Sequence, residues 1–306
     1  MPELPEVEIT ARRLDAALRG ARIESALAPG INALRTFDPP LAALAGREIA
    51  GVARRGKHLI VAVGPAARAR EVRGDDAAGG EAREDEARED ELVLLIHLMS
   101  AGRLQLFDKR AGPRDRTARL LLRIDDGREL RLREFGSKQA AWVKLLRAAE
   151  LAQDESLTRL GPEAWPDPPE LGELLRAPRP LHAMLRDQHV IAGIGRSWVD
   201  EILWEAQLSP YKRGADLDED ESRRLRAATI AVLGGAIAHY EAVVQLPIPD
   251  KLPLPLRVHR HEGQPCARCA STLRAVHFED YVIAYCPTCQ TDGRLLKDRR
   301  LSRLLK

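Results

Sequence analysis

The chain opens Met1-Pro2-Glu3-Leu4-Pro5-Glu6-Val7-Glu8, which places a potential nucleophile beside two acids. Methionine is readily trimmed before a small residue, leaving Pro2 as a secondary amine at the head of the mature chain. A free α-amino group titrates near ~8 against ~10.4 for lysine, so roughly a tenth of it is neutral at pH 7. A neutral amine attacks a sugar carbon or an aldehyde and forms an iminium. Glu3 is adjacent and Glu6 lies a helical turn on, so either carboxyl can exchange a proton with the reacting centre. The same residues equally suit the plain opening of a helix, whose first turn favours proline and glutamate.

Two further groups could do chemistry. The four cysteines all lie after residue 265, as Cys266-x2-Cys269 and Cys286-x2-Cys289 with sixteen residues between the pairs. Such spacing supplies four thiolates for one tetrahedral structural zinc ion, with a redox pair or disulfides as the other readings. Lys57 follows Gly56 in Arg54-Arg55-Gly56-Lys57-His58-Leu59, a tight turn that presents the lysine at a strand start. Taken alone, that turn reads as a solvated hairpin.

The elements that must position these residues follow from periodicity. Val7, Ala11, Leu14 and Leu18 fall on one face of a helix that ends at Gly20. Strands are expected at 23–27, 48–54, 58–63, 92–98, 103–107, 119–124 and 129–133, with Asp125-Asp126-Gly127 as a hairpin turn. Residues 66–91 are low in complexity and lack aromatics, so a disordered loop is expected, with a single helix over 81–90 as the other possibility. Residues 145–165 read as a connector, and a long helix is expected from Asp218 to about Val244.

Length and charge bound the class. The 306 residues allow two domains and a small appendage. Neither an apolar run of about 18 residues nor a secretory leader is evident, so a soluble, cytoplasmic protein without a membrane partner is expected. Net charge is only +2, but residues 71–91 carry ten acids and three bases, leaving +9 elsewhere. Forty of the 48 basic residues are arginine, which suits phosphate binding and equally reflects a genome's nucleotide composition.

Pro2-Glu3-Leu4-Pro5-Glu6-Val7-Glu8 resembles the N-terminal signature of the formamidopyrimidine-DNA glycosylase / endonuclease VIII family. Residues 187–203, Asp-Gln-His-Val-Ile-Ala-Gly-Ile-Gly-Arg-Ser-Trp-Val-Asp-Glu-Ile-Leu, resemble its helix–two-turn–helix segment. Glu262-Gly263-Gln264-Pro265-Cys266 and Tyr285-Cys286-Pro287-Thr288-Cys289-Gln290 resemble its C-terminal zinc finger. The resemblance implies Pro2 as nucleophile, Glu3 as general acid and Lys57 as the residue that contacts the lesion phosphate and assists elimination. Glu6 joins them in the expected catalytic set. The expected DNA-facing set is Met99, Arg119, Arg133, Phe135, Arg196 and Tyr281. Met99 would fill the space of an extruded base and Phe135 would wedge the stack. Three positions depart from the family pattern. His97-Leu98-Met99-Ser100-Ala101-Gly102 carries its methionine one place early, Arg196 replaces an asparagine, and Tyr281 stands where the family has a phosphate-clamping arginine.

The resulting expectation is an α+β, multidomain fold. An N-terminal β-sandwich with flanking helices would span 1–148, a helical helix–two-turn–helix domain 149–250, and a zinc finger 251–306. The expected activity is that of a monomeric bifunctional DNA glycosylase and abasic-site lyase acting on damaged double-stranded DNA. Its rivals are a damage-binding protein of reduced catalysis on the same scaffold, and a zinc-ribbon interaction module fused to an unrelated enzyme. The proline-rich stretch 241–257 is poorly suited to folding over a flipped purine, because each proline fixes φ near −65°. Oxidised pyrimidines or abasic sites are therefore expected to be preferred over 8-oxoguanine. Tyr281 is expected to hold phosphate more weakly than arginine, unless another arginine such as Arg274 fills the place.

Overall fold

Helix α1 (Leu4–Leu18) begins where the sequence places its opening acids. Pro5 sits in the first turn, and the Glu6 carboxylate folds back to accept the Glu3 N–H at 2.8 Å. Leu4, Val7, Ile9, Leu14 and Leu18 are fully buried, so the apolar face seats the helix. Asp15 ties it to the neighbouring strand by accepting the Val52 N–H at 2.7 Å. The computed structural model describes residues 2–30, 32–64, 90–112, 115–135, 139–278 and 280–297.

Two four-stranded antiparallel sheets follow. One is ordered β1 (Ile23–Leu27), β6 (Ala118–Ile124), β7 (Glu129–Glu134), β5 (Gly102–Phe107). The other is ordered β2 (Ile49–Arg55), β3 (His58–Val63), β4 (Leu92–His97), β8 (Trp142–Arg147). Near-continuous runs such as Leu92–Ile96 and Leu120–Leu122 are buried, which fits strands covered on both faces. The expected connector at 145–165 starts too early, because β8 runs through Arg147 and pairs with β4. Lys144 disguises that strand in the sequence. Its ammonium is held by Asp154 at 2.7 Å and Ser156 at 3.1 Å, so the charge is satisfied within the fold. The acidic segment at 66–91 lies outside the described residues except for its last two, Asp90 and Glu91.

The chain divides into two compact units, Met1–Thr158 with Tyr240–Leu252, and Arg159–His239 with Pro253–Lys306. Helix α2 (Glu155–Thr158) closes the first stretch of the first unit, and the second unit opens with the short helices α3 (Leu171–Leu174) and α4 (Leu181–Leu185). Helix α5 (Arg196–Glu205) starts after Gly193, whose φ of 107° suits glycine alone. Helix α6 (Glu219–Val243) is long, as expected, and its last turn returns the chain to the first unit. The hairpin β9 (Arg274–His277) and β10 (Val282–Tyr285) precedes α7 (Pro287–Thr291), which brings the last cysteine pair beside the first. No helix among the described residues is long and apolar enough to cross a membrane.

Candidate active site and metal cluster

The N-terminal acids are buried at the head of α1. Glu3 and Glu6 are 2% and 6% exposed, and Glu6 is bound from two sides. Its Oε2 accepts the Glu3 N–H, and its Oε1 accepts the hydroxyl of Tyr240 at 2.8 Å. Burial, then the charge of Glu6, pushes the Tyr240 pKa upward, so the phenol remains a donor across the working pH range. Arg13 fixes the same return segment by donating to the carbonyls of Val244 and Glu241. Pro2 is half-buried directly before this pair of acids.

Lys57 is 6% exposed and lies in the turn directly before β3, after Gly56, where φ is 56°. Its neighbours form a cross-strand row, with His58 paired to His97 and His97 paired to Trp142. The two imidazoles meet edge to face at 4.6 Å, and His97 stacks on Trp142 at 5.7 Å. Burial lowers the His58 pKa to about 4 and that of His97 to about 3, the latter helped by the positive fields of His58 and Lys57. Both rings are therefore neutral at pH 7. His97 Nδ1 accepts the Met99 N–H at 2.9 Å, which fixes the turn after β4. Met99 has φ of 48° and packs against Leu95, Trp142 and Leu146. The methionine thus occupies the left-handed position that favours glycine.

The remaining first-unit candidates gather around β5 and β7. Arg119 is buried, lies 3.8 Å from Glu134 and donates to Gln139 at 2.7 Å. A side chain at Gly30 would come within 2.5 Å of its guanidinium, so the Arg119 head group would have to shift to admit one. Glu134 in turn accepts the N–H groups of Ala140 and Ala141, so Arg119 and Glu134 brace both roots of the loop carrying Phe135. Arg133 lies over the Phe135 ring at 4.7 Å and donates to Thr117 and Gln105. Gln105 and Arg103 also bind Ile248 and Asp250, which fastens the proline-rich stretch to β5.

In the second unit α5 carries two buried acids. Asp200 lies between His259, at 2.7 Å, and His182, at 3.2 Å, and accepts the Ala284 N–H. Glu201 accepts three successive N–H groups, from Arg257, Val258 and His259. Arg196, at the first turn of α5, donates to the Asp280 carbonyl and carboxylate at 2.6 and 2.7 Å. Tyr281, at the tip of the β9–β10 hairpin, stacks on Phe278 and lies under the guanidinia of Arg186 and Arg196.

The four cysteine sulfurs lie within 4.8 Å of one another, a set that could hold a metal ion. Four sulfurs about 2.3 Å from a central ion would be about 3.8 Å apart. The observed Cys269–Cys286 and Cys266–Cys289 separations of 3.4 and 4.0 Å bracket that edge. Donors also point at the sulfurs, as at thiolates: Trp204 Nε1 at 3.3 Å and Arg268 N at 3.5 Å to Cys266, and Cys289 N at 3.4 Å to Cys286.

Comparison with known proteins accounts for this arrangement. Residues 1–137 match the formamidopyrimidine-DNA glycosylase N-terminal domain and residues 168–246 match the H2TH domain of the same enzymes. The formamidopyrimidine-DNA glycosylase of Chloroflexus aurantiacus is 30% identical over 304 residues, covering 95% of this chain and 98% of that protein. The chain belongs to the formamidopyrimidine-DNA glycosylase family. An uncharacterized formamidopyrimidine-DNA glycosylase-like protein of Mycobacterium tuberculosis is 40% identical over 126 residues, which is 41% of this chain and 80% of that one. Among solved structures, MutM in complex with DNA containing carbocyclic 8-oxo-G superposes with a TM-score of 0.75 at 25% identity, covering 95% of this chain and all of that one. Lactococcus lactis Fpg in complex with DNA containing an oxidized pyrimidine gives 0.74 at 25% identity, with the same coverage. The fold is accordingly that of a formamidopyrimidine-DNA glycosylase, mixed α and β, with N-terminal sheets, the helix–two-turn–helix segment and the four-cysteine cluster. As a member of that family the protein is a DNA-repair glycosylase.

Sequence reasoning missed Tyr240, Arg186 and the Asp200–Glu201 pair. Nothing local marks Tyr240, which matters only because α6 returns to the first unit. The acidic pair was visible as two charges amid Trp198, Val199, Ile202 and Leu203, a face otherwise buried.

Proposed function

We propose that the protein is a bifunctional DNA glycosylase and abasic-site lyase that excises oxidised bases through Pro2. The observation that supports this most directly is the head of α1, where Pro2 precedes a buried Glu3 and a Glu6 held by Tyr240 and the backbone. The Pro2 amine attacks C1′, the bond from C1′ to the base breaks, and Glu3 supplies a proton as the sugar ring opens. The nitrogen loses its own proton and an iminium remains. Loss of a C2′ proton then expels the 3′ phosphate by β-elimination, which can extend to δ-elimination at the 5′ side. Water finally releases the sugar fragment from Pro2. Lys57, beside the reacting strand, assists elimination through its charge, and the neutral His58 and His97 leave that charge unopposed by protons of their own.

Met99, Arg119, Arg133 and Phe135 are assigned to the damaged duplex in the first unit, and Arg196 and Tyr281 in the second. The cysteine cluster would hold one structural zinc, and four thiolates leave that ion no open position for water. We further propose that the protein acts as a monomer in the cytoplasm, on the nucleoid. Oxidised pyrimidines and abasic sites are the proposed preferred lesions, because Ile248 and Asp250 are fastened to β5 and the prolines around them are stiff. Borohydride trapping on duplexes carrying dihydrouracil, an abasic site or 8-oxoguanine opposite cytosine tests the reading. A covalent complex through Pro2 on the first two is expected. Tight binding with no trapped species on any duplex would instead favour a damage-binding protein of reduced catalysis.

A further inference from the structure

Tyr281 is the centre of a stacked group at the hairpin tip. Phe278 lies parallel to its ring at 4.4 Å, which covers one face. The Arg186 guanidinium carbon lies 4.2 Å from the ring centroid and so must occupy the other face. Arg196 approaches the same ring at 5.5 Å.

The two arginines differ in one respect that has chemical consequences. Arg196 spends two of its nitrogens on Asp280. Arg186 has no ion pair and no hydrogen-bond acceptor for its guanidinium among the described residues, and its Nε is buried without a partner. Other arginines of this unit are matched, as Arg179 is with Asp187, Arg213 with Asp216 and Arg268 with Glu205. An uncompensated, partly desolvated guanidinium is costly in the free protein, and an external anion relieves that cost. The contact with Tyr281 restrains where the group sits, and its N–H donors, none of them taken by an acceptor among the described residues, can serve two oxygens at once. Asp187, the acid next in the chain, is turned to Arg179 and does not compete.

We propose that Arg186, held over the Tyr281 ring, binds a backbone phosphate diester of the damaged DNA. Arg196, tethered to Asp280, positions the hairpin tip beneath it. The assignment rests on the DNA-repair reading above and adds a ligand that no sequence motif marks.

The test uses the full chain with its metal and a duplex containing a tetrahydrofuran abasic analogue, titrated between 50 and 200 mM salt (concentrations of the order used to resolve counterion release). Wild-type protein should bind with a steep salt dependence. Arg186→Gln should lose about tenfold in affinity, and the slope of log K against log salt should fall by about one. Arg224→Gln, which removes an exposed arginine of the same unit, should change either quantity far less. In the Arg186→Gln background, Tyr281→Arg should restore the slope, since it returns a guanidinium to the same place. A weaker Arg186→Gln complex with an unchanged slope would mean a packing role and overturn the proposal, as would wild-type binding by that variant. Failure of the wild-type protein to prefer the abasic duplex would instead bring down the repair reading itself.

Discussion

Helices α1 and α5 each carry a close pair of buried acids, and the two pairs are made differently. On α1, Glu6 reaches back three residues to the Glu3 N–H and also accepts from the distant Tyr240. On α5, Asp200 and Glu201 meet partners at least eighteen positions away, at His182, Arg257, Val258, His259 and Ala284. The first pair frames the chain end proposed to react. The second fastens the bend and turn at 257–260 that lead to the cysteine cluster. A buried carboxylate is costly unless paired and hydrogen-bonded; α1 satisfies Glu6 partly with a local donor, whereas the partners of Asp200 and Glu201 are long-range. The local solution was legible as a motif, whereas the long-range one was not.

That contrast predicts where damage should fall. Blocking Pro2 with any residue ahead of it turns the amine into an amide and should abolish borohydride trapping, a loss of more than about 10³-fold, while duplex binding persists. Measuring nicking and binding on a tagged and a tag-cleaved protein decides this; nicking by the uncleaved form would refute the iminium route. Glu201→Ala should act oppositely, sparing chemistry per bound complex but stranding three N–H groups. Each stranded donor costs about 1 kcal/mol or more, so a loss of about 3 kcal/mol is expected by thermal or denaturant unfolding, together with weaker metal retention. If metal content and unfolding midpoint both stay at wild-type values, Glu201 is not the fastener described.

Tyr240→Phe sharpens the comparison, because it removes only the distant half of the α1 arrangement. About a tenfold fall in kcat is expected, with the dissociation constant of an abasic duplex unchanged. A shift in binding alone would place Tyr240 with the scaffold. The smallest effect concerns pH. His58 and His97 titrate lower in the folded protein than the usual 6.5, so the unfolded chain binds protons first as pH falls. Stability is therefore full above pH 6.5 and is lost as pH drops towards 4, by about 1 kcal/mol per pH unit for each ring. His97→Gln should flatten that slope in a melting series from pH 7 to pH 4.5.

How much of this could be read beforehand depended on distance along the chain. Helix α1, the hairpin at Lys57, the long helix α6 and the paired cysteines rest on residues within a turn or a strand of one another, and periodicity exposes them. Strand β8 was obscured because Lys144 looks like a linker residue until Asp154 and Ser156 are seen to satisfy it. The early methionine was readable as a departure, but only the backbone shows that Met99 sits in a left-handed turn capped by His97. Tyr281 likewise looked like a lost arginine, and Arg186, ninety-five positions away, escaped notice because nothing in its own neighbourhood distinguishes it.

The pairing of β3 with β4 has a consequence for how the chain tolerates change in length. His58 faces His97 at one end of that ladder, and Val63 faces Leu92 at the other. Five steps along a strand separate the ends, roughly 17 Å at about 3.4 Å per residue. The acidic segment enters and leaves at the Val63–Leu92 end, and Lys57 sits at the opposite one. Since Val63 and Leu92 are direct partners, a two-residue Asn-Gly turn could join them as an ordinary hairpin. The site is therefore a natural splice point, where genetic drift or an engineer can lengthen, shorten or replace the connection, and the ladder itself insulates the Lys57 end from the edit.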